Sequence, residues 1–391
     1  MTVLSSLRII YVGLFLVLLA VLGIWSQRAF LDFSVPHGTT FMDGKWVRAV
    51  ETRYDEDFPL KRLGINLWAA VDYVLFEEGR PGVVIGRDDW LFSDEEFEPL
   101  LGAEKNIGDN LCLIGGVQRF LSGYGIRLIL AIVPSKFRLY REHLKERKPV
   151  RLRAGLYRRF HLAANANGIA APDLLASLAR EKNNAALFLR TDTHWTPFGA
   201  QIAAESIAHT VRRYGLLNTG QQRFVTDTVG AERYRGDLLR FLPLDPLFAE
   251  WLPPPDELHK RSTRAADEVS GGEALFADVL LPVALVGTSY SANPNWNFAG
   301  ALRQALGADL ASHAEDGQGA LLPMLRFLQS NEFKNAPPEL VIWEFPERYL
   351  PAPVDSSQFD AQWLERLGAA ATAGEHRAIC AINAVSPYGE M

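Results

Sequence analysis

Two short stretches hold the residue types that activate a hydroxyl group. Thr191-Asp192-Thr193-His194-Trp195 sets a carboxylate two residues before an imidazole, and Gly287-Thr288-Ser289-Tyr290-Ser291 sets hydroxyls just after a glycine. A carboxylate beside a histidine fixes the tautomer of the ring and stabilises the imidazolium that forms when the ring takes a proton. Serine is a weak nucleophile at neutral pH and needs such a base. Together the motifs predict acyl transfer, with Ser289 as nucleophile, His194 as base and Asp192 as its orienting group. Ser291 is the competing hydroxyl, but Ser289 is the first serine after the glycine. Taken singly, an Asp-x-His is also an ordinary surface hydrogen bond and a Gly-Thr-Ser an ordinary turn. Metal binding by Asp192 and His194 lacks further ligands at recognisable spacing, so no metal and no cofactor is expected.

The elements around these stretches give them a common edge. Leu60 to Phe76 repeats apolar residues at three- and four-residue steps and reads as an amphipathic helix, ended by Gly79-Arg80-Pro81-Gly82. Val83–Ile85 and Trp90-Leu91-Phe92 read as a small hairpin. Beyond Asn106 helical patterns (111–121, 152–167, 201–214, 297–306) alternate with short apolar runs (127–133, 188–189, 283–286, 340–345). Continuous apolar strands separated by helices predict an α/β fold with a parallel sheet covered on both faces, whose ligands sit beyond the carboxyl ends of the strands. Both motifs follow such runs. Thr196 is placed to cap a helix opened by Pro197. The residues after Gly287 are placed to offer a helix N-terminus, whose free N–H groups suit an oxyanion. Asp245 to Gly272, with Pro253-Pro254-Pro255, reads as a surface excursion, and the segment after Tyr349 as a loosely structured tail.

Other strand ends offer contacts for a substrate. Lys136 follows the 127–133 run, where an electrostatic contact and a solvated loop lysine are equal readings, and Tyr290 adjoins the serine. Arg348 is placed to bind a carboxylate and Tyr349 to stack on a ring, with a structural Glu–Arg ion pair as the competing reading of that motif.

The bulk properties exclude some classes. With 391 residues, 48% of them hydrophobic, and a formal charge of -6, the chain is globular and has no surplus of cations for nucleic acid. Its two cysteines, Cys112 and Cys380, form no framework; a single disulfide stays open as an alternative, and two free thiols are the favoured expectation. Arg8 precedes an uncharged run from Ile9 to Trp25, apolar on every face. That is an export signal, and since SQRAFLDF offers no small-x-small cleavage pattern, an uncleaved membrane anchor is expected.

The anchor, GRDDWLFSDEEF, LAIVPSKFRLY, FLRTDTHWTPFGA, VALVGTSYSANPNWNF and WEFPERYL together resemble the AlgJ/AlgX family of alginate O-acetyltransferases across essentially the whole chain. The resemblance implies an SGNH-hydrolase-like fold with a permuted order of motifs, since common SGNH enzymes place an Asp-x-x-His pair after the serine. It implies an anchor over residues 1–30, an acetyltransferase domain over 31–350 and a tail over 351–391. It also implies acetyl transfer to mannuronate hydroxyls of alginate in the periplasm, through a Ser289, His194, Asp192 triad. The implied partners are a membrane O-acyltransferase that supplies acetyl, other alginate acetylation proteins and the inner membrane. Only about forty residues follow Tyr349, too few for the carbohydrate-binding module of AlgX. The final acceptor therefore stays open between the polymer and a partner transferase. A polysaccharide acetylesterase, or a non-enzymatic assembly protein of the export complex, is the alternative function.

Overall fold

The computed structural model describes residues 2–27, 44–57, 59–145, 149–266 and 281–372. The chain divides into two compact units, residues 1–80 with 240–252, and residues 81–239 with 253–391. The first unit is helical: α1 (Thr2–Ser26), α2 (Lys45–Asp57) and α3 (Pro59–Val71), the last running into a π-turn at Asp72–Phe76. Asn66 ties α3 to the 240–252 segment by donating to the carbonyls of Pro243 (2.5 Å) and Asp245 (3.1 Å).

In the second unit the elements follow as β1 (Val83–Ile85), β2 (Leu91–Ser93), α4 (Ala103–Gly123), β3 (Arg127–Val133), α5 (Lys136–Leu139), α6 (Arg151–Ala166), α7 (Leu174–Glu181) and α8 (Pro197–Tyr214). Then come β4 (Phe224–Tyr234), β5 (Asp256–Ala265), β6 (Val283–Gly287), the single turn α9 (Ser289–Ala292), α10 (Phe298–Leu306) and β7 (Leu310–Ala314). Last are α11 (Leu322–Gln329), α12 (Asn331–Asn335), β8 (Leu340–Pro346) and α13 (Ala361–Thr372).

Four strands form one parallel sheet in the order β3-β8-β6-β7. Successive side chains on a strand face opposite ways, and the core divides accordingly. Ile129, Ala131 and Val133 join α7, α8 and α10 on one face, while Leu128, Leu130 and Ile132 join α4, α6 and α11 on the other. This is the expected two-faced parallel sheet, and its β6 and β8 ends carry the chemistry below.

Several expectations are corrected. Phe188-Leu189 is no strand of the parallel sheet; Phe188 makes a single antiparallel bridge with Trp195. The run is apolar because Leu187, Phe188 and Leu189 are buried in a tight loop, not because it joins a ladder. The excursion expected over Asp245–Gly272 contains β5, which pairs with β4 in a long antiparallel ribbon. Its end, 267–272, lies outside the described residues. The tail contains α13, packed so closely on α4 that a Cβ on Gly116 would sit 2.1 Å from the Leu367 carbonyl. Residues 373–391 lie outside the described residues. Cys112 is disulfide-bonded, against the expected free thiol; a lone pair of cysteines carries no spacing from which to read a bridge, and Cys380 lies outside the described residues.

Candidate active site

The histidine lies on an irregular loop that borrows its rigidity. Leu189 N–H donates to the His194 carbonyl (3.1 Å) and Thr196 N–H to that of Leu187 (2.9 Å), folding 187–196 back on itself. Thr196 then caps α8, its hydroxyl accepting from Gly199 N–H at 3.1 Å, with Pro197 at the first turn, as its sequence predicts. Between these ends the backbone is held by partly buried carboxylates. Asp256 accepts from the N–H groups of Arg190 and Thr191 (2.8 Å each) and from the Thr191 hydroxyl (2.5 Å). Asp237 accepts from the Thr193 N–H (2.9 Å) and hydroxyl (2.7 Å). Gly236 lets the Asp237 segment approach; a Cβ there would lie 2.1 Å from the Thr191 carbonyl.

The serine turn is built differently. Gly287 ends β6, and the Thr288 N–H and hydroxyl both donate to the Glu344 carboxylate of β8 (2.9 and 3.0 Å), as does the Ser291 hydroxyl (2.7 Å). A Cβ on Gly287 would fall 2.6 Å from that carboxylate, so only glycine admits it. Glu344 is fully buried, and burial raises its carboxyl above the ordinary value against these donors. Ser289 opens α9, so its N–H has no intrahelical acceptor and is available to a developing oxyanion.

The two parts meet with hydrogen-bond geometry. His194 Nε2 lies 2.7 Å from Ser289 Oγ, and His194 Nδ1 lies 2.6 Å from Asp192 Oδ1. Asp192 is wholly buried. Burial alone would raise its carboxyl, but the His194 ring, the Asp237 N–H (2.9 Å) and the His194 N–H (2.8 Å) hold it down at about 2. It is therefore an anion under any condition in which the base works. Tyr234 also reaches it, its hydroxyl donating at 3.2 Å. The imidazole touches two rings, stacked on Trp296 at 5.2 Å and tilted against Tyr290 at 4.6 Å. Ser289 and His194 are 7% and 8% exposed, so the reacting edge is open only narrowly.

Of the expected substrate contacts, three are buried and bonded within the protein. The Lys136 ammonium is enclosed and donates to the carbonyls of Leu91 (2.6 Å), Arg190 (2.8 Å) and Asp192 (2.9 Å). All three of its protons are used. Burial pulls this ammonium down to about 8, against the opposing charges of Glu96, Asp256, Asp192 and Asp237. Tyr290 is buried and links the two motifs. Its hydroxyl donates to the Thr193 carbonyl (2.6 Å), while its own carbonyl accepts from the Trp195 indole (3.2 Å). Arg348 braces it, donating from Nη1 to the Tyr290 hydroxyl (2.9 Å) and from Nε to Glu95 (3.0 Å). The competing reading of the 343–349 motif, a structural Glu–Arg ion pair, is met twice: Arg348 pairs with Glu95 at 3.0 Å and Glu347 with Arg138 at 2.5 Å. Tyr349 is partly buried, its ring 4.9 Å from the Arg348 guanidinium.

Sequence reasoning missed Glu344, Asp237 and Asp256, each of which holds backbone that carries the reacting groups. The Gly287 and Gly236 positions were the available signals, since each marks a close approach by one of these segments.

The model of the SGNH hydrolase-like domain of the acetyltransferase AlgX matches residues 83–347. The chain belongs to this family. It is 54% identical over 383 residues to the probable alginate O-acetylase AlgJ of Pseudomonas syringae pv. tomato, covering 98% of each chain. It is 52% identical to its Pseudomonas aeruginosa namesake over 371 residues, covering 93% of this chain and 94% of that one. Among solved structures it is similar to the O-acetyltransferase domain of Pseudomonas putida AlgJ, at 53% identity and a TM-score of 0.69 over 74% of this chain and 99% of that one. It is also similar to Pseudomonas aeruginosa AlgX, at 26% identity and a TM-score of 0.54 over 75% of this chain and 68% of that one. The expected AlgJ/AlgX membership and SGNH-like fold are thereby borne out.

Proposed function

We propose that the chain is an alginate O-acetylase that works through an acetyl-Ser289 intermediate. The observation that carries this reading is the unbroken line Asp192 Oδ1, His194 Nδ1, His194 Nε2, Ser289 Oγ, at 2.6 and 2.7 Å, in a chain whose relatives bear that name. Ser289 Oγ attacks the carbonyl carbon of an acetyl donor while its proton passes to His194 Nε2. The oxyanion collapses, the donor's leaving oxygen takes that proton, and acetyl-Ser289 remains. A mannuronate hydroxyl then gives its proton to His194 and attacks the acetyl carbon. Ser289 Oγ leaves and recovers the proton. Asp192 stays ionised throughout and stabilises the imidazolium.

Membrane attachment supports the setting. α1 is long and apolar enough over Arg8–Ser26 to cross a membrane, which fits a body held at the periplasmic face by an uncleaved segment. There a membrane O-acyltransferase is the fitting acetyl donor, and other alginate acetylation proteins such as AlgX are the fitting partners. Of the expected substrate contacts, Tyr349 is only partly buried and is the one that fits stacking on a sugar ring.

The test is mass spectrometry of the purified chain after incubation with an activated acetyl ester and polymannuronate. One acetyl group on the peptide containing Ser289, absent from Ser289→Ala, together with acetylated polymer is expected. Full turnover by Ser289→Ala would end the proposal.

A further inference from the structure

The first unit carries an apolar surface that its own fold leaves uncovered. On one side of α3, Asn66 and Ala70 are buried. Next to them, Leu63, Leu67, Val71 and Val74 recur at steps of four, four and three residues, with Trp68 and Leu75 further round the helix. All six are exposed, Trp68 at 67% and Leu75 at 70%. An apolar stripe of this kind normally faces a core, and one left open marks an interaction surface.

What it faces follows from α1. That helix is exposed along its described length apart from Leu22, which is partly covered, and Ser26, which is buried at its carboxyl end. α1 also contacts α3 within the same unit. A helix lying where a spanning helix leaves the hydrocarbon begins at headgroup level. There an in-plane helix gains by sinking an apolar face by about 5–10 Å and keeping its cations in the headgroups. The exposed Lys61 and Arg62 precede the stripe, and tryptophan is a residue favoured at that depth.

We propose that α3 and the turn after it lie in the membrane interface, with Leu63, Leu67, Trp68, Val71, Val74 and Leu75 turned toward lipid. The proposal rests on the reading of α1 as a membrane span. The chain would then meet the bilayer twice, through a span and through a surface helix. A span alone tethers the chain, whereas the second contact also restrains its tilt.

The experiment reconstitutes the full chain and its Trp68→Phe variant in vesicles of phosphatidylethanolamine and phosphatidylglycerol. The difference in emission between the two isolates Trp68. Lipids brominated on their acyl chains are expected to remove most of that difference, and aqueous iodide to leave most of it. A Leu67→Glu, Val71→Glu double variant should reverse the pattern while its hydrolysis of a small acetyl ester is unchanged, showing that the fold survives. The proposal falls if the chain floats with vesicles but Trp68 is quenched by iodide and untouched by bromolipid. It falls equally if Trp68 becomes shielded only when a membrane protein is added, since the stripe then faces protein. Failure to float would remove the span and this proposal together, and leaves acetyl transfer by Ser289 unaffected.

Discussion

The two segments that meet at the reacting atoms solve the same positioning problem with different means. The serine turn continues β6, whose backbone is already paired on both sides by β7 and β8. It needs one buried carboxylate, Glu344, to satisfy what the strand leaves over. The histidine loop continues no sheet strand, and its buried N–H and C=O groups find partners in Asp256, Asp237 and Lys136. A buried backbone group without a partner is costly, so irregular backbone imports side chains where regular backbone uses its neighbours. The comparison predicts a loop that is fragile to single polar substitutions and a turn that is not.

The largest effect is expected within the loop's own chemistry. Asp192→Asn keeps the shape but reverses the proton preference at His194 Nδ1, and should lower turnover by about 10³–10⁴-fold; its amide nitrogen also faces donors, so the melting temperature should fall as well. Steady-state kinetics on a small acetyl ester checks this. Next, Lys136→Met removes three donors from buried carbonyls and should destabilise the fold by about 3–5 kcal/mol, read by denaturant titration. Glu344→Gln exchanges one acceptor for a donor facing other donors. It should cost about 1–3 kcal/mol, visibly less than Lys136→Met; an equal or larger loss would erase the distinction between the two segments.

Acid should separate the segments with opposite signs. The folded Asp192 carboxyl lies near 2, below its ordinary 3.8. Its contribution is complete above the ordinary value and is lost as pH falls toward 2, an amount of about 2–3 kcal/mol. The Glu344 carboxyl lies above its ordinary value, so in the folded chain it holds its proton where the unfolded chain has lost it. Its effect on stability declines as pH rises through that interval. Hydrogen exchange at low pH should thus open Thr191–Trp195 before Thr288–Ala292. The smallest effect is expected from Tyr234→Phe, which deletes one of several donors to Asp192 and should cost about 0.5–1.5 kcal/mol.

Legibility in the sequence follows the same division. The parallel strands were readable because burial on both faces makes them continuously apolar, and the two motifs were readable because their residue types are chemically distinctive. β7 was not: Leu310-Ala-Ser-His-Ala lies at the sheet edge and is only half covered. The β4–β5 ribbon was missed because it is largely solvated and alternates charges without an apolar face. Asp256, Asp237 and Glu344 look like any other acidic residue, since nothing in a single sequence says that a carboxylate points inward at a backbone. Lys136 failed for the converse reason, since a lysine after a strand reads as a solvated or ligand-facing cation. Its enclosure depends on β2 and the histidine loop arriving from distant parts of the chain.

The pair of rings that flanks His194 has a kinetic meaning. The His194 imidazole is packed against both Trp296 and Tyr290, so in the proposed exchange one nitrogen, Nε2, takes and gives up the proton in each half-reaction. On the proposed mechanism, whether an acetyl group ends on a sugar or on water would be decided by which molecule occupies the narrow opening over Ser289 during the lifetime of the acyl-enzyme.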